Sequence, residues 1–260
     1  MRITKTLFIS AVLLMSATGL QAAGFIQKGN YLTVQLKEHQ NYGPSQIRLQ
    51  VVNDQIIRVQ ATAEQSFRNK QSLIIVPQNS KANYKVEEQG DKLIITTATM
   101  RAVLNEATGQ ITFYDLKDNV LLNEVAQGGK TFKPFTVPDR EIGVDIARVP
   151  EAQKHGWSWR ALFDSPDNEA FYGLGQHQSE ELNMKGKNED LFQYNTKVSV
   201  PFVVSNKNYG ILWDSYSYCR WGNPDDYLQL NRAFKLYDKD GKEGQLTGTY
   251  VDKNGQKIVR

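Results

Sequence analysis

A chain of 260 residues with 40% hydrophobic and 23% charged side chains can bury a core without staples, and its single cysteine, Cys219, can form no internal disulfide. Thirty-one basic against 28 acidic residues, net +3, are an even mixture rather than the basic stripe that nucleic acid requires as a partner. The three histidines, His39, His155 and His177, and the lone cysteine are scattered without metal-ligand spacing, so neither a metal nor an organic cofactor is implied.

Residues 1–22 begin with Arg2 and Lys5, run through the apolar Leu7 to Met15 and leave by Ser16 to Gly19 toward Ala22 and Ala23, the layout of a secretory signal peptide. The apolar run falls short of the roughly 20 residues a spanning helix needs, and no later stretch supplies one. An exported protein without a membrane span, periplasmic or extracellular, is expected. Removing the segment takes two basic residues and leaves 29 against 28 acidic, net +1.

From residue 23 onward, period-two alternation dominates. Leu32, Val34 and Leu36 interleave with Thr33, Gln35 and Lys37, and Ile57, Val59 and Ala61 with Arg58 and Gln60, which predicts strands with one wet face. Shorter runs follow at Leu73 to Val76, Tyr84 to Glu87, Leu93 to Thr97, Met100 to Leu104, Ile111 to Tyr114 and Val120 to Leu122. Turn signals at Gly90-Asp91, Thr108-Gly109 and Lys117 to Asn119 divide them, predicting antiparallel hairpins. No long segment carries a 3.6-residue stripe, so the βα alternation of a barrel is absent. The stretch from Gly128 to about Pro150 reads as a connector, and strand patterning resumes at Ser158 to Phe163.

Trp157 and Trp159 fall on one side of their strand, where indoles either stack on sugar rings or, more often, fill a core. Trp213 and Cys219 are expected in the core, and Trp221 either there or facing a neighbouring module. The acidic pairs Glu180-Glu181, Glu189-Asp190 and Asp225-Asp226 read as solvated surface. A retaining glycosidase dyad needs carboxyls about 5–5.5 Å apart, which adjacent pairs in polar segments do not imply.

In Phe171-Tyr-Gly-Leu-Gly-Gln-His177 two glycines bracket Leu174, a spacing suited to positive φ or close backbone approach at a strand end. The third glycine and the Lys-Ser/Thr pair of a phosphate loop are missing. Downstream lie Asp190-Leu-Phe-Gln-Tyr-Asn-Thr196, Val200-Pro-Phe-Val-Val-Ser205 and Tyr209-Gly-Ile-Leu-Trp213. These four elements in this order resemble the N-terminal β-sandwich of glycoside hydrolase family 31, the α-glucosidases and α-xylosidases.

The resemblance implies an all-β fold, an antiparallel sandwich of the galactose-mutarotase-like type over residues 23–232. Residues 233–260 are similar to the start of an inserted, protective-antigen-like β-domain, left incomplete. In the family a following (β/α)8 barrel supplies two catalytic aspartates for a retaining double displacement, and 260 residues leave no room for one. The expectation is the N-terminal part of a secreted α-glycoside hydrolase acting on α-linked oligosaccharides. This chain would give scaffold and part of the sugar pocket, with the barrel as its partner and no catalytic residue of its own. Asn195 matches the family position that touches the substrate at its nonreducing end, where many α-glucosidases carry Asp. A neutral amide both donates to and accepts from hydroxyls, leaving room for a xylose-specific relative. Tyr194 and Thr196 beside it, with Gln176 and His177, complete the candidate set. From the residues alone, Asn195 reads equally as a turn residue before the strand Val198 to Val204, and residues 179–189 as an ordinary exposed loop. A free-standing carbohydrate-binding sandwich is the alternative.

Overall fold

A computed structural model describes residues 24–38, 40–68, 71–76, 82–136, 155–178, 181–193, 195–215, 217–222, 249–251 and 257–259. The expected signal peptide, and all of the expected insert except two short strands, lie outside these residues. Every helix or strand among them is a strand, and the chain divides into two compact units.

The first unit comprises Met1–Phe67, Ser80–Ile111 and Ala126–Leu162. Strands β1 (Phe25–Lys28), β2 (Tyr31–Gln35), β3 (Gln46–Asn53) and β4 (Ile56–Thr62) pair antiparallel in chain order. Register explains the packing: Leu32 and Val34 on β2 lie opposite Leu49 and Ile47 on β3, so the apolar rows of both strands share one face. All four side chains are fully buried, each stabilising the unit by about 1.5–3 kcal/mol. Strands β5 (Lys85–Gln89), β6 (Lys92–Thr96) and β7 (Met100–Asn105) form a second meander that buries Leu93, Ile95, Ala102 and Leu104. After β7 the chain turns through Gly109 at φ 77°, where a Cβ would come 2.8 Å from Ile47 Cδ1 and 2.9 Å from Leu36 Cδ1. The turn therefore closes directly on the first sheet.

Strands β8 (Ile111–Asp115) and β9 (Val120–Asn123) make a hairpin that belongs, apart from Ile111, to the second unit. Its turn holds because Asp115 Oδ1 accepts from the amides of Lys117 and Asn119 at 2.8 and 2.9 Å. The expected connector after Gly128 is instead partly strand. Strand β10 (Lys130–Thr136) pairs over its whole length with β11 (His155–Ala161) in the first unit. Pro134 hides this strand in the sequence, yet a two-stranded ribbon consists only of edges, where proline is tolerated. The rest of that connector, residues 137–150, lies outside the described residues.

The second unit comprises Arg68–Asn79, Thr112–Val125 and Phe163–Arg260. Its sheet places β14 (Val198–Ser205) between β12 (Phe171–Gln176) and β15 (Tyr209–Leu212). A short ladder joins β13 (Glu189–Leu191) to β16 (Cys219–Trp221), and β17 (Thr249–Val251) pairs with β18 (Lys257–Val259). The strand expected over Leu73 to Val76 does not form. Ser72 Oγ accepts from the amides of Ile74 and Ile75 at 3.2 and 2.9 Å, which bends the segment into a turn and leaves Leu73 80% exposed.

Phe171, Leu174, Met184, Leu191 and Val203 form the buried core of this unit, with Trp213 and Cys219 packed against it as expected. Trp221 does not face outward from it. Its ring meets Phe171 edge-on at 5.2 Å and stacks on Trp213 at 6.1 Å, while Nε1 donates to the Met184 carbonyl at 3.0 Å.

Candidate substrate-binding loop

Gly173, Leu174 and Gly175 carry φ angles of 134°, 68° and 102° in succession. Alternation would put Leu174 on the outer face with Tyr172 and Gln176, and the run of positive φ turns it inward instead. A left-handed non-glycine residue costs about 1–2 kcal/mol. Burying a leucine completely returns about 1.5–3 kcal/mol, so the strained conformer wins. The flanking positions admit only glycine: a Cβ on Gly173 would lie 2.6 Å from the Phe202 carbonyl oxygen, and one on Gly175 would overlap that of Val198. Here the ladder between β12 and β14 shifts register, from Gly173 opposite Val203 to Gly175 opposite Ser199.

This bend aims the Leu174 carbonyl at His177, whose Nε2 donates to it at 2.8 Å. The ring is turned inward, its side chain 7% exposed, with Nδ1 3.2 Å from Glu189 Oε1 but off the line of a hydrogen bond. The same carboxylate pairs with the ammonium of Lys197, which also donates to the Asp190 carbonyl. Lys197 is 8% exposed because it starts the inward row that continues through Ser199 and Val203. A buried lysine is tolerable only when paired and hydrogen-bonded, and both conditions are met.

The pair ties the two ends of the segment 190–197 together. Inside the segment, Gln193 Nε2 donates to the Lys197 carbonyl at 2.7 Å and its Oε1 accepts from the Ser199 amide at 3.0 Å. Asp190 Oδ1 accepts from the Tyr218 hydroxyl at 2.6 Å. Partial burial, reinforced by this bond and by the negative charge of Asp190, pushes the Tyr218 hydroxyl up to about 12. The result is a short loop rigid at its base.

Asn195 and Thr196 stand exposed in the turn of that loop. Gln176, also exposed, is registered opposite Val198, at the foot of the same loop. Three of the sequence candidates are thus gathered in one place, while His177 is packed beneath as support. Tyr194 lies outside the described residues. Sequence reasoning missed Lys197 and Gln193, and it misread Glu189, which is half-buried and paired with Lys197 beside His177. The parity of the inward row of β14, read backward, points to Lys197.

A cleft of about 330 Å³ elsewhere in this unit is lined by Tyr114, Asp164, Glu169 and Lys207 among others. Glu169 is committed structurally: Oε1 accepts from the Ser205 and Tyr209 hydroxyls at 2.5 and 2.6 Å, and Lys207 Nζ lies 3.5 Å from Oε2. Burial, then the bond to Glu169, raises the Tyr209 hydroxyl well above the ordinary tyrosine range. Among the described residues no group of three His, Cys, Asp or Glu side chains could hold a metal ion.

The family described as the glycosyl hydrolase 31 N-terminal galactose mutarotase-like domain matches residues 46–221, more than half of the chain and all of the bulge, loop and core just described. The chain belongs to this family. The all-β, antiparallel architecture is that of the family's mutarotase-like sandwich. A solved GH31 alpha-xylosidase from Xanthomonas citri is 36% identical with a TM-score of 0.67, over 90% of this chain and 23% of that one. A second GH31 alpha-xylosidase, from a soil metagenome and complexed with xylose, is 25% identical with a TM-score of 0.57, covering 75% and 28%. An alpha-xylosidase of Saccharolobus solfataricus is 25% identical over 185 residues, 67% of this chain and 23% of that one. The mutarotase-like chain therefore spans between a fifth and a third of the length of these relatives.

Proposed function

We propose that this chain is the N-terminal, non-catalytic part of an exported α-glycoside hydrolase of the α-xylosidase type, and that its clamped loop forms one wall of the sugar pocket. The observation that carries the reading is the loop itself: rigid at its base through Lys197 and Glu189, with Asn195 and Thr196 presented at its exposed turn. A positioned amide suits a sugar, since it can donate to one hydroxyl and accept from the next. Xylose as the preferred ring is supported by three relatives that are named alpha-xylosidases. Export is supported by the signal-like residues 1–22.

A second feature supports a larger polypeptide. Val198, Val200, Phe202 and Val204 of β14, Tyr172 of β12 and Leu212 of β15 share the outer face of the second unit's sheet, each between 40% and 47% exposed. A contiguous apolar face of this kind marks a surface that another structure covers. The occupant proposed is a carboxylate-bearing remainder of the enzyme, for which the additional length of the relatives leaves room.

The 260-residue chain is expected to release no nitrophenol from p-nitrophenyl α-D-xyloside. In the polypeptide that continues into the carboxylate-bearing part, Asn195→Ala is expected to raise KM about tenfold, because a sugar hydroxyl loses a buried partner, with kcat changed less. Turnover by the 260-residue chain, or an unchanged KM in the variant, would overturn the proposal.

A further inference from the structure

The ribbon of β10 and β11 in the first unit carries a second exposed apolar surface, of different chemistry. Trp157 and Trp159 are 43% and 50% exposed. They lie on one face of β11, about 6.8 Å apart along the strand. Register places Pro134 directly opposite Trp157 and Phe132 opposite Trp159, so all four rings share that face. His155 and Lys130 stand at the two ends of the same row, opposite Thr136 and Ala161. The other row of the ribbon runs through Thr131, Lys133, Ser158 and Arg160, with Phe135 opposite Gly156 at its end. The amide of Phe132 donates to the Tyr42 carbonyl at 2.7 Å, which brings a further exposed aromatic residue, 48% accessible, to this edge.

From this juxtaposition we infer that Trp157 and Trp159 form a sugar-binding platform, which takes the pyranose rings of an α-linked oligosaccharide. The chemistry of the face selects this occupant. The outer face of β14 is largely aliphatic and suits a protein surface, whereas the middle of the ribbon's face carries two indoles beside a phenyl and a pyrrolidine ring. Pyranoses have apolar C–H faces that fit the electron-rich faces of indoles, and hydroxyl rims that need donors and acceptors at the ends of the row. His155 is a group of that kind, while the Lys130 ammonium donates to the Gly109 carbonyl at 3.1 Å and closes the other end of the row. Two indoles spaced by the strand repeat offer stacking to two positions along one glycan. The platform stands independently of the Asn195 loop, and the two can fail separately.

The test is a titration of the 260-residue chain with isomaltotriose and with an α-xylosylated gluco-oligosaccharide, followed by indole fluorescence and by calorimetry. A saturable fluorescence shift is expected. Replacing both indoles by alanine (Trp157→Ala with Trp159→Ala) should weaken binding by roughly tenfold or more. Replacing both by phenylalanine should restore part of it in the calorimeter, which guards against a variant that merely unfolds. Asn195→Ala should leave the fluorescence shift unchanged. Absence of any response in the unaltered chain, or equal binding by the double alanine variant, would overturn the inference. Binding lost in Asn195→Ala but kept in the double alanine variant would place the sugar at the loop and overturn the platform while supporting the proposed function.

Discussion

The inward rows of β2 and β3 in the first unit follow the two-residue period, and an unbroken ladder and apolar burial hold them together. The second unit departs from that period within three residues of β12, and it spends a left-handed leucine, two glycines and a buried lysine to do so. The difference teaches where each unit is vulnerable. A regular sheet is sensitive to lost volume, whereas the loop-bearing unit is sensitive to backbone shape and to charge pairing.

The largest effect should come from comparing glycines. Gly90, at φ 62° in the turn between β5 and β6, has open space where a Cβ would go, so Gly90→Ala should cost only about 1 kcal/mol of left-handed strain. Gly175→Ala adds backbone overlap with Val198 and should cost about 4 kcal/mol or more, or prevent the second unit from folding. Urea denaturation of both variants measures this, and equal costs would erase the contrast.

Next in size is Lys197→Met, which strands the Glu189 carboxylate. It should destabilise the second unit by about 3 kcal/mol, with Lys197→Arg avoiding much of that loss. Hydrogen exchange should then show amides of residues 191–197 opening while those of β2 and β3 stay protected. Uniform opening of both units would break the comparison.

The smallest effect concerns Tyr218. Its hydroxyl rises from the ordinary 10.0 to about 12 in the folded chain, so the folded state holds its proton more tightly than the unfolded one. The resulting stabilisation is complete below pH 10 and is lost as the pH climbs from 10 to about 12. Tyr218→Phe should remove the corresponding step from the alkaline tyrosinate absorbance titration and flatten the stability profile in that window. An unchanged titration curve would mean that the bond to Asp190 does not hold in solution.

The same contrast explains what could be read from the sequence. Alternation disclosed β2, β4 and the hairpins from β5 to β9, because in those strands burial follows directly from apolar periodicity. It failed at Leu73 to Val76, where Ser72 competes locally for the amides, and at β10, where a proline is acceptable only because the pairing has no interior strand. At the candidate site, Asn195 was legible only through resemblance, since an exposed asparagine in a turn has no pattern of its own. Glu189 read as a surface charge and Lys197 was not singled out, because nothing local reveals that a fold will draw two opposite charges together out of solvent. The exposure of Trp157 and Trp159 was likewise hidden, as the same two residues would serve equally well in a core.

Pro201 sits in the middle of β14, within the stretch that the ladder to β12 skips, and its carbonyl accepts from the Trp213 amide at 3.0 Å. A strand residue's N–H and C=O point to the same side, so the missing amide of Pro201 faces the Trp213 carbonyl, which accepts instead from the Ser215 amide at 2.9 Å. The proline therefore marks where the β14–β15 ladder ends: beyond Leu212 the chain turns back on itself to supply the Trp213 carbonyl with a donor.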